Sequence, residues 1–301
     1  MLPRRTLCLW MVGVVVATIW PLRAALPARE IIAPLDPAAA LAAFRTEEGV
    51  RIELVAAEPL VVDPVAFIFD ERGRLFVAEG RGYPDAIGGK GRTTLGRIAL
   101  LEDTDGDGRY DRRTEFATGL GYVNGLMPWR GGLIVTMAPD IIYLKDTDGD
   151  GIADERRVLL TGFEDTKTAQ LRVSHPTLGL DGLVYVTSGL NGGKVSSPSH
   201  PERPGVSFTP RDGRFDPDRL AFENTGGRAQ YGLSFDAFGR RFICSNRHPV
   251  LQVMLEPWML ARNPHLAVAD VVQEVSRVEA EAKVFPLSGR SEEHTSELQS
   301  H

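Results

Sequence analysis

The sequence predicts an all-β fold, and a repeated strand–turn–strand pattern is the first reason. Four segments each contain an apolar strand, an Asp/Gly turn and a second apolar or alternating strand: 67–80, 127–138, 178–189 and 233–246. Their turn glycines are Gly73, Gly132, Gly182 and Gly239, which gives spacings of 59, 50 and 57 residues. Short strands that repeat at about 45–60 residues are typical of the blades of a β-propeller.

The second reason is what lies between the strands. A doubly wound α/β fold requires amphipathic helices there, and residues 60–250 show none of convincing length. Because the blade-like units indicate only part of a ring, we expect an incomplete β-propeller from a protein that has six blades when complete. The partial propeller is predicted over 61–289. It follows a leader and first strand over 29–60, which include one short helix in DPAAALAAFRTEEG.

Both ends of the chain are expected to lie outside this fold. Residues 1–28 combine Arg4 and Arg5 with the apolar run LCLWMVGVVVATIW, which is typical of a secretory signal peptide or an N-terminal anchor. The run is shorter than the ~20 residues that span a bilayer. We therefore expect a periplasmic or secreted protein, with anchoring to the inner membrane as the alternative. Residues 290–301, RSEEHTSELQSH, are similar to the translation of a common sequencing-adapter oligonucleotide, so the natural protein is expected to be interrupted near Gly289.

The composition excludes several functional classes. The net charge is −6 and no basic stripe is present, so nucleic acid is not an expected partner. Cys244 is the only cysteine outside the predicted signal, so no intramolecular disulfide is expected. The chain contains no CxxCH motif, which excludes covalent haem attachment within it.

Two aspartate-rich loops are the most specific local motif. DTDGDGRYD at 103–111 recurs as DTDGDGIAD at 146–154. Alternating aspartates around a turn glycine match the register of a calcium-binding loop, in which oxygen ligands surround a hard cation. The predicted calcium ligands are Asp103, Asp105, Asp107, the Arg109 carbonyl and Asp111 in the first copy, and Asp146, Asp148, Asp150, the Ile152 carbonyl and Asp154 in the second. The final Glu of an EF-hand loop is replaced by Thr114 or Arg157, so metal-free turns in which the carboxylates accept backbone N–H groups are an equal alternative.

Several polar residues lie next to predicted strands, where propellers carry their ligand-binding loops. His175, in a loop directly before a proline and a strand, is a candidate general base, and an ordinary loop histidine is the alternative. Arg228, in the glycine-flanked GGRAQYG, would aim a guanidinium at an anionic cofactor or substrate, and a surface ion pair is its alternative. Other polar and aromatic residues are explained equally well by turns and packing: Asn191, Asn246, His248, Trp129 and Trp258.

Five stretches together resemble a known family. They are VDPVAFIFDERGRLFVAEGRGYP, GRIALLEDTDGDGRYDRRTEFATGL, APDIIYLKDTDGDGIADERRVLLTGF, LGLDGLVYVTSG and GRAQYGLSFDAFGRRF. They are similar to the propeller of the membrane-bound dehydrogenase family, which includes PVC-type haem-binding CxxCH proteins and is related to soluble quinoprotein glucose/sorbosone dehydrogenases. The resemblance covers residues 45–289 and implies a β-propeller. Longer members of the family often continue into helical repeats and a haem-binding CxxCH domain.

The resemblance also implies an oxidoreductase that uses pyrroloquinoline quinone (PQQ) and calcium. In the quinoprotein sugar dehydrogenases a histidine takes the proton of the sugar hydroxyl, and an arginine in an RNPxG-like loop lies near the reaction centre. By this resemblance His175 would be the base, Arg228 the electrostatic partner, and Arg228, Gln230 and Asn246 the cofactor-binding residues. Ala229 stands in place of the loop's asparagine, and Gln230 in place of its proline.

Two functions remain open at this point. The first is an exported dehydrogenase that oxidises a sugar or other alcohol and passes electrons to a cytochrome, with a c-type cytochrome domain as partner in a longer protein. The second is a non-catalytic, calcium-stabilised propeller that binds glycans or proteins as a scaffold. A CxxCH motif encoded downstream would favour the first, and titration with PQQ in the presence of calcium would separate the two.

Overall fold

The computed structural model describes residues 35–83, 94–208, 211–265, 267, 268 and 270–275. The predicted signal segment 1–28 and the adapter-like segment 290–301 lie outside these residues. Within them, no helix is long and apolar enough to cross a membrane. The chain divides into two units, Met1–Ile52 and Glu53–His301.

The first unit contains the short helix that its alanine-rich sequence predicts, α1 (Pro37–Ala43). The carboxylate of Asp36 caps this helix by accepting the N–H groups of Ala38 at 3.0 Å and Ala39 at 2.9 Å. Pro37 occupies the first turn, where a missing N–H costs nothing.

In the described residues of the second unit the regular structure is almost entirely β-strand, and these strands form four blades. Blade 1 contains β1 (Pro64–Phe69), β2 (Leu75–Glu79), β3 (Gly96–Glu102) and β4 (Arg112–Leu120). Blade 2 contains β5 (Gly125–Trp129), β6 (Gly132–Met137), β7 (Asp140–Lys145) and β8 (Glu155–Phe163). Blade 3 contains β9 (Ser174–Leu178), β10 (Val184–Thr187), β13 (Gly213–Phe215) and β14 (Phe222–Asn224), with β11 (Gly193–Ser196) and β12 (Val206–Phe208) inserted between β10 and β13. Blade 4 contains β15 (Tyr231–Phe235), β16 (Arg241–Cys244), β17 (Leu251–Val253) and β18 (Val272–Glu274). Two short helical segments lie between strands: a 3₁₀ turn (Ala169–Leu171) precedes β9, and α2 (Pro257–Leu260) follows β17.

Each blade is an antiparallel sheet whose strands pair in chain order. The β11–β12 hairpin does not stay with blade 3; it adds to the outer strand β8 and widens the sheet of blade 2 to six strands. The first strands of successive blades contact one another, β1 with β5, β5 with β9 and β9 with β15. Radially stacked sheets whose first strands lie innermost are the arrangement of a β-propeller, so the predicted fold is confirmed for the four described blades.

The core lies between the blades. One cluster joins blades 1 and 2 through Phe76 and Ile98 on one side and Leu133 and Val135 on the other. A second joins blades 2 and 3 through residues such as Ile134 and Val184. Because alternate residues of a strand point to opposite faces, the inner run 133–135 is buried on both sides, which explains why it is continuously apolar.

The connections divide between two faces of the propeller. We call the face with the connections between second and third strands, and between blades, the upper face. The lower face carries the turns between first and second strands and the connections between third and fourth strands, where the hydroxyl of Tyr110 donates to the Gly73 carbonyl at 2.8 Å. The turn glycines are as predicted at Gly73, Gly182 and Gly239. In blade 2 the left-handed turn residues are Arg130 and Gly131, and Gly132 already belongs to β6.

Candidate functional site

His175 lies at the upper end of the inner strand of blade 3. It belongs to β9 itself rather than to the preceding loop, and its φ of 51° is unusual for a non-glycine residue. Its Nδ1 is 2.9 Å from the Ser174 hydroxyl, which is itself 2.8 Å from the buried Thr187 hydroxyl. Part of the imidazole reaches solvent, but surrounding protein atoms desolvate the ring and lower its pKa below the usual 6.5. The histidine is therefore neutral at pH 7, with Nε2 bonded to no residue in the described part of the chain.

A glycine on the neighbouring inner strand, Gly125 of β5, allows β9 to lie close to β5 at His175. A Cβ atom at Gly125 would lie 2.8 Å from the His175 nitrogen and 2.5 Å from Pro176 Cδ. Any side chain there would push β5 and β9 apart. The close approach of the two strands at the upper face therefore depends on Gly125.

Arg228 lies on the loop that leads from blade 3 into the inner strand of blade 4. Its side chain is exposed, and no hydrogen bond or ion pair joins it to another described residue. The loop beneath it is fixed by the buried carboxylate of Asp212, which accepts the N–H of Ala229 at 3.0 and 3.1 Å and that of Ser188 at 3.0 Å. The Asp212 N–H in turn donates to the Gly227 carbonyl at 3.1 Å. Arg228 thus projects from a rigid loop.

Asp212 belongs to a buried charged cluster that the sequence analysis did not identify. Arg241 is 2% exposed and has its Nη1 3.7 Å from Asp212 Oδ2 and its Nη2 2.8 Å from Glu256 Oε1. Burial raises the pKa of Asp212, while Arg241 and the backbone donors of Ala229 and Ser188 oppose the rise. A buried charge is costly unless it is paired, so this cluster holds blades 3 and 4 in one arrangement below the Arg228 loop.

Gln230 and Asn246 lie close together, but their hydrogen bonds are internal. The Gln230 side chain is 5% exposed, accepts the Asn246 N–H at 3.1 Å and donates to the Tyr231 hydroxyl at 3.4 Å. The structure therefore gives Gln230 the role of joining two upper-face loops rather than of facing a ligand. Asn246 is partly exposed, so its side chain is better placed than that of Gln230 to reach a ligand.

Two tyrosines, Tyr83 and Tyr122, also meet at the upper face, and neither was among the predicted site residues. The rings of Tyr83 and Tyr122 have centroids 6.1 Å apart and planes inclined by 32°. Gln170 donates to the Tyr83 hydroxyl at 2.6 Å. Desolvation and then Tyr83 raise the pKa of Tyr122, Arg172 opposes the rise, and Tyr231 adds to it. Tyr83 lies in the β2–β3 connection, Tyr122 in the connection from blade 1 to blade 2, and Gln170 in the connection from blade 2 to blade 3. No local sequence pattern predicts that they meet.

The two aspartate loops lie on the lower face, away from His175 and Arg228. In each loop three carboxylates converge, with oxygen atoms within 4.8 Å of one another: Asp103, Asp105 and Asp107 in one, and Asp146, Asp148 and Asp150 in the other. The fourth aspartates do not join them, because Asp111 and Asp154 accept the hydroxyls of Thr104 and Thr147, both at 2.6 Å. Oxygen donors in this number and spacing suit a hard cation.

The same loops also form Asx-turns. Asp103 accepts the N–H groups of Gly106 at 2.7 Å and Gly108 at 2.9 Å, and Asp107 accepts that of Arg109 at 2.7 Å. Desolvation raises the pKa of Asp146, but the N–H groups of Gly149 and Gly151 outweigh it and leave the pKa below its usual value. The backbone N–H groups therefore hold the loops in place whether or not a cation is bound, and they favour the ionised form of Asp146.

The remaining candidates have structural roles. Asn191 donates to the Thr168 carbonyl at 3.5 Å, and His248 Nδ1 is 3.1 Å from Glu274 Oε1. Trp129 packs against the core between blades 2 and 3. Trp258 lies under the guanidinium of Arg214, 3.7 Å from its ring centroid. These contacts favour the turn and packing interpretations over ligand binding.

Comparison with protein families gives one match. The profile of DUF7133, described as a domain of unknown function, matches residues 36–301. The chain belongs to this family. No curated protein matches it. The resemblance to membrane-bound dehydrogenases and haem-binding CxxCH proteins stays a prediction.

Solved structures similar to this family member are propeller proteins at low identity. The holo PQQ domain of pyranose dehydrogenase from Coprinopsis cinerea is 14% identical with a TM-score of 0.42, over 66% of this chain and 47% of that one. A carbohydrate-active enzyme of family AA12 from Trichoderma reesei is 13% identical with a TM-score of 0.41, over 67% and 47%. A gluconolactonase from Xanthomonas campestris is 17% identical with a TM-score of 0.39, over 64% and 57%. The chain thus spans about half the length of these structures.

Proposed function

We propose that the upper face is the active site of a quinoprotein-type dehydrogenase that oxidises a sugar or other alcohol. The observation that carries the proposal is His175, a desolvated histidine on a strained inner-strand residue, oriented through Nδ1 with Nε2 available. Alcohol oxidation requires a neutral base of this kind within reach of the hydroxyl proton. Export to the periplasm and electron transfer to a c-type cytochrome belong to the same proposal.

The residues of the upper face fit PQQ, a polyanionic quinone, in part. Arg228 offers an exposed guanidinium on a rigid loop, which suits a carboxylate, and Asn246 offers a partly exposed amide. Gln230 does not fit as a direct ligand because its side chain is buried and engaged internally. When bound, the quinone would supply the hydride acceptor for the alcohol carbon.

The chain itself performs the proton and charge chemistry. Nε2 of His175 accepts the hydroxyl proton, and the Ser174 hydroxyl at Nδ1 keeps the ring in place while it becomes positively charged. Arg228 stabilises negative charge that develops nearby, and Asp212 keeps its loop from moving. The proton leaves the imidazole to solvent at the exposed edge of the ring.

We assign the aspartate loops a structural role as calcium sites. They lie on the lower face, so a cation bound there does not contact a ligand near His175. The Ala153 N–H of the second loop donates to the Phe116 carbonyl of blade 1 at 2.8 Å. A cation in this loop would therefore stabilise the contact between blades 1 and 2.

Titration of the full chain with PQQ in the presence of calcium tests the proposal. We expect a change in the quinone absorption spectrum and dye-linked oxidation of sugars or alcohols. His175→Ala should abolish turnover while PQQ still binds, and Arg228→Ala should weaken PQQ binding. His248→Ala, which removes a histidine paired with Glu274, is the matched control and should change neither. Absence of both the spectral change and turnover would reject the enzyme and favour the calcium-stabilised glycan- or protein-binding scaffold.

A further inference from the structure

Two tyrosines of the upper face, Tyr83 and Tyr122, have no role in the proposed chemistry. Tyr83 is 41% exposed although it is a large aromatic residue fixed in place by its neighbours. Its N–H donates to the Gly80 carbonyl at 3.1 Å, which closes a turn. The Gln170 amide, in the connection between blades 2 and 3, donates to the Tyr83 hydroxyl at 2.6 Å. An exposed aromatic ring that is held rigidly loses little entropy when a ligand stacks on it.

Tyr122, which is partly exposed, lies beside Tyr83 and extends this surface. A Cβ atom at Gly80 would lie 3.1 Å from Tyr122 Cε2, so the glycine makes room for the ring. With centroids 6.1 Å apart and a tilt of 32°, the two rings leave no space for a ligand between them. A ligand would therefore stack on the outer side of the ring pair, which we call the platform.

The chemistry of this platform favours a carbohydrate. Aromatic faces accept the apolar C–H face of a pyranose ring, and the two tyrosine hydroxyls and the Gln170 amide are neutral groups that can form hydrogen bonds with sugar hydroxyls. The platform also lies on the same face as His175, because all three residues are near the upper ends of their strands. A sugar held on it is on the face where the base is located.

We propose that Tyr83 and Tyr122 form a stacking subsite for a pyranose ring, with Gln170 as its hydrogen-bonding partner. This inference rests on the proposed function in that it names the ring form of the substrate for the same face. Binding on the platform requires neither PQQ nor turnover, so the two proposals can fail separately.

The experiment is saturation-transfer NMR of the full chain with methyl glucopyranoside, without PQQ, and with sorbitol as an acyclic polyol of similar hydroxyl content. We expect the glucoside to bind and Tyr83→Ala to weaken it about tenfold, whereas Tyr83→Phe keeps the ring and most of the affinity. Tyr110→Ala removes a tyrosine from the lower face and should leave binding unchanged. Because Tyr83 is exposed, its substitution leaves the core intact.

Three outcomes would overturn the subsite. They are no binding of the glucoside, equal binding of sorbitol, and an unchanged affinity in Tyr83→Ala. If the glucoside binds through Tyr83 but no oxidation occurs with PQQ, the subsite stands and the dehydrogenase fails. If oxidation proceeds with an unchanged KM in Tyr83→Ala, the dehydrogenase stands and the subsite fails.

Discussion

At the scale of single residues, the upper face is organised by buried polar contacts beneath exposed side chains. His175 is oriented by Ser174, and Arg228 projects from a loop fixed by Asp212. In both cases the exposed group is free to meet a ligand while a buried partner fixes its direction. Such support reduces the reorganisation that catalysis or binding would otherwise cost.

The pH dependence of turnover tests the role of His175. Because desolvation lowers its pKa, the base stays neutral until the pH falls below 6.5. We expect kcat/KM to be flat at neutral pH and to fall with a midpoint below 6.5, and we expect His175→Gln to lose activity over the whole pH range. The unfolded chain takes up the proton at higher pH, so the fold should also lose stability as the pH drops below 6.5. A midpoint above 6.5 would contradict the assignment.

Asp212→Asn tests the support of the Arg228 loop. The amide keeps the shape but removes the charge opposite Arg241 and one of the two oxygens that accept the N–H groups of Ala229 and Ser188. We expect a loss of about 3 kcal/mol in the free energy of unfolding, measured in urea. Hydrogen exchange should become faster at the amides of Ala229 and Ser188. Asp216→Asn, in a partly exposed turn, is the control, and equal effects of the two variants would argue against a specific role for Asp212.

At the scale of elements, the hairpin turns repeat one set of contacts. In FDERGR the Asp70 carboxylate accepts the N–H groups of Arg72 and Arg74, both at 2.9 Å, and the Arg74 Nε at 2.8 Å. In FDAFGR, Asp236 makes the corresponding bonds to the turn and to Arg240. The aspartate and the left-handed glycine thus fix the turn between first and second strands locally, so these turns were predictable from sequence.

Gly125→Ala tests the contact between inner strands. The added methyl group would overlap His175 and Pro176, so we expect a loss of about 2 kcal/mol in the free energy of unfolding and a disturbed His175. Gly73→Ala is the control because it meets no atom within 4 Å, although its φ of 77° costs about 1 kcal/mol. Thermal unfolding measures both. A smaller loss for Gly125→Ala than for the control would show that the strands separate without cost.

Calcium dependence tests the aspartate loops. A cation that binds only the folded state raises the melting temperature, and we expect a rise of about 4 °C or more at saturating calcium. The double variant Asp105→Asn, Asp148→Asn should abolish this rise because it removes a carboxylate from each cluster. The control Asp216→Asn should retain it. The same melting temperature in excess calcium and in chelator would show that the loops are metal-free turns.

At the scale of the whole molecule, the first strand of blade 1, β1, has apolar side chains on both faces. Alternate residues of β1 pack against blade 2, whereas Val65, Phe67 and Phe69 are 39%, 65% and 50% exposed. Exposed apolar side chains on one strand face form a patch that favours association. The face is oriented away from blade 2, where a propeller places another blade.

Self-association tests this patch. We expect the chain to associate in a concentration-dependent manner in sedimentation experiments. The double variant Phe67→Ser, Phe69→Ser should shift it towards the monomer. Phe238→Ser, at an 82% exposed phenylalanine of a lower-face turn, should not. A monomeric wild type at all concentrations would contradict the expectation.

The sequence by itself determined the blades, most of their turns, the short helix and the duplicated aspartate loops. Strand alternation, turn glycines and Asx-turns are local properties, so they can be read from adjacent residues. It erred by one residue at Gly132, where two glycines follow one another, and it placed His175 in a loop rather than in β9.

Only the tertiary structure decided which of these features meet. It placed the aspartate loops opposite His175 and Arg228, moved the β11–β12 hairpin onto blade 2, and brought Tyr83 to Tyr122 and Asp212 to Arg241. The physical reason is that such contacts join residues far apart in the chain, and their free energy depends on how the blades pack rather than on any local sequence preference.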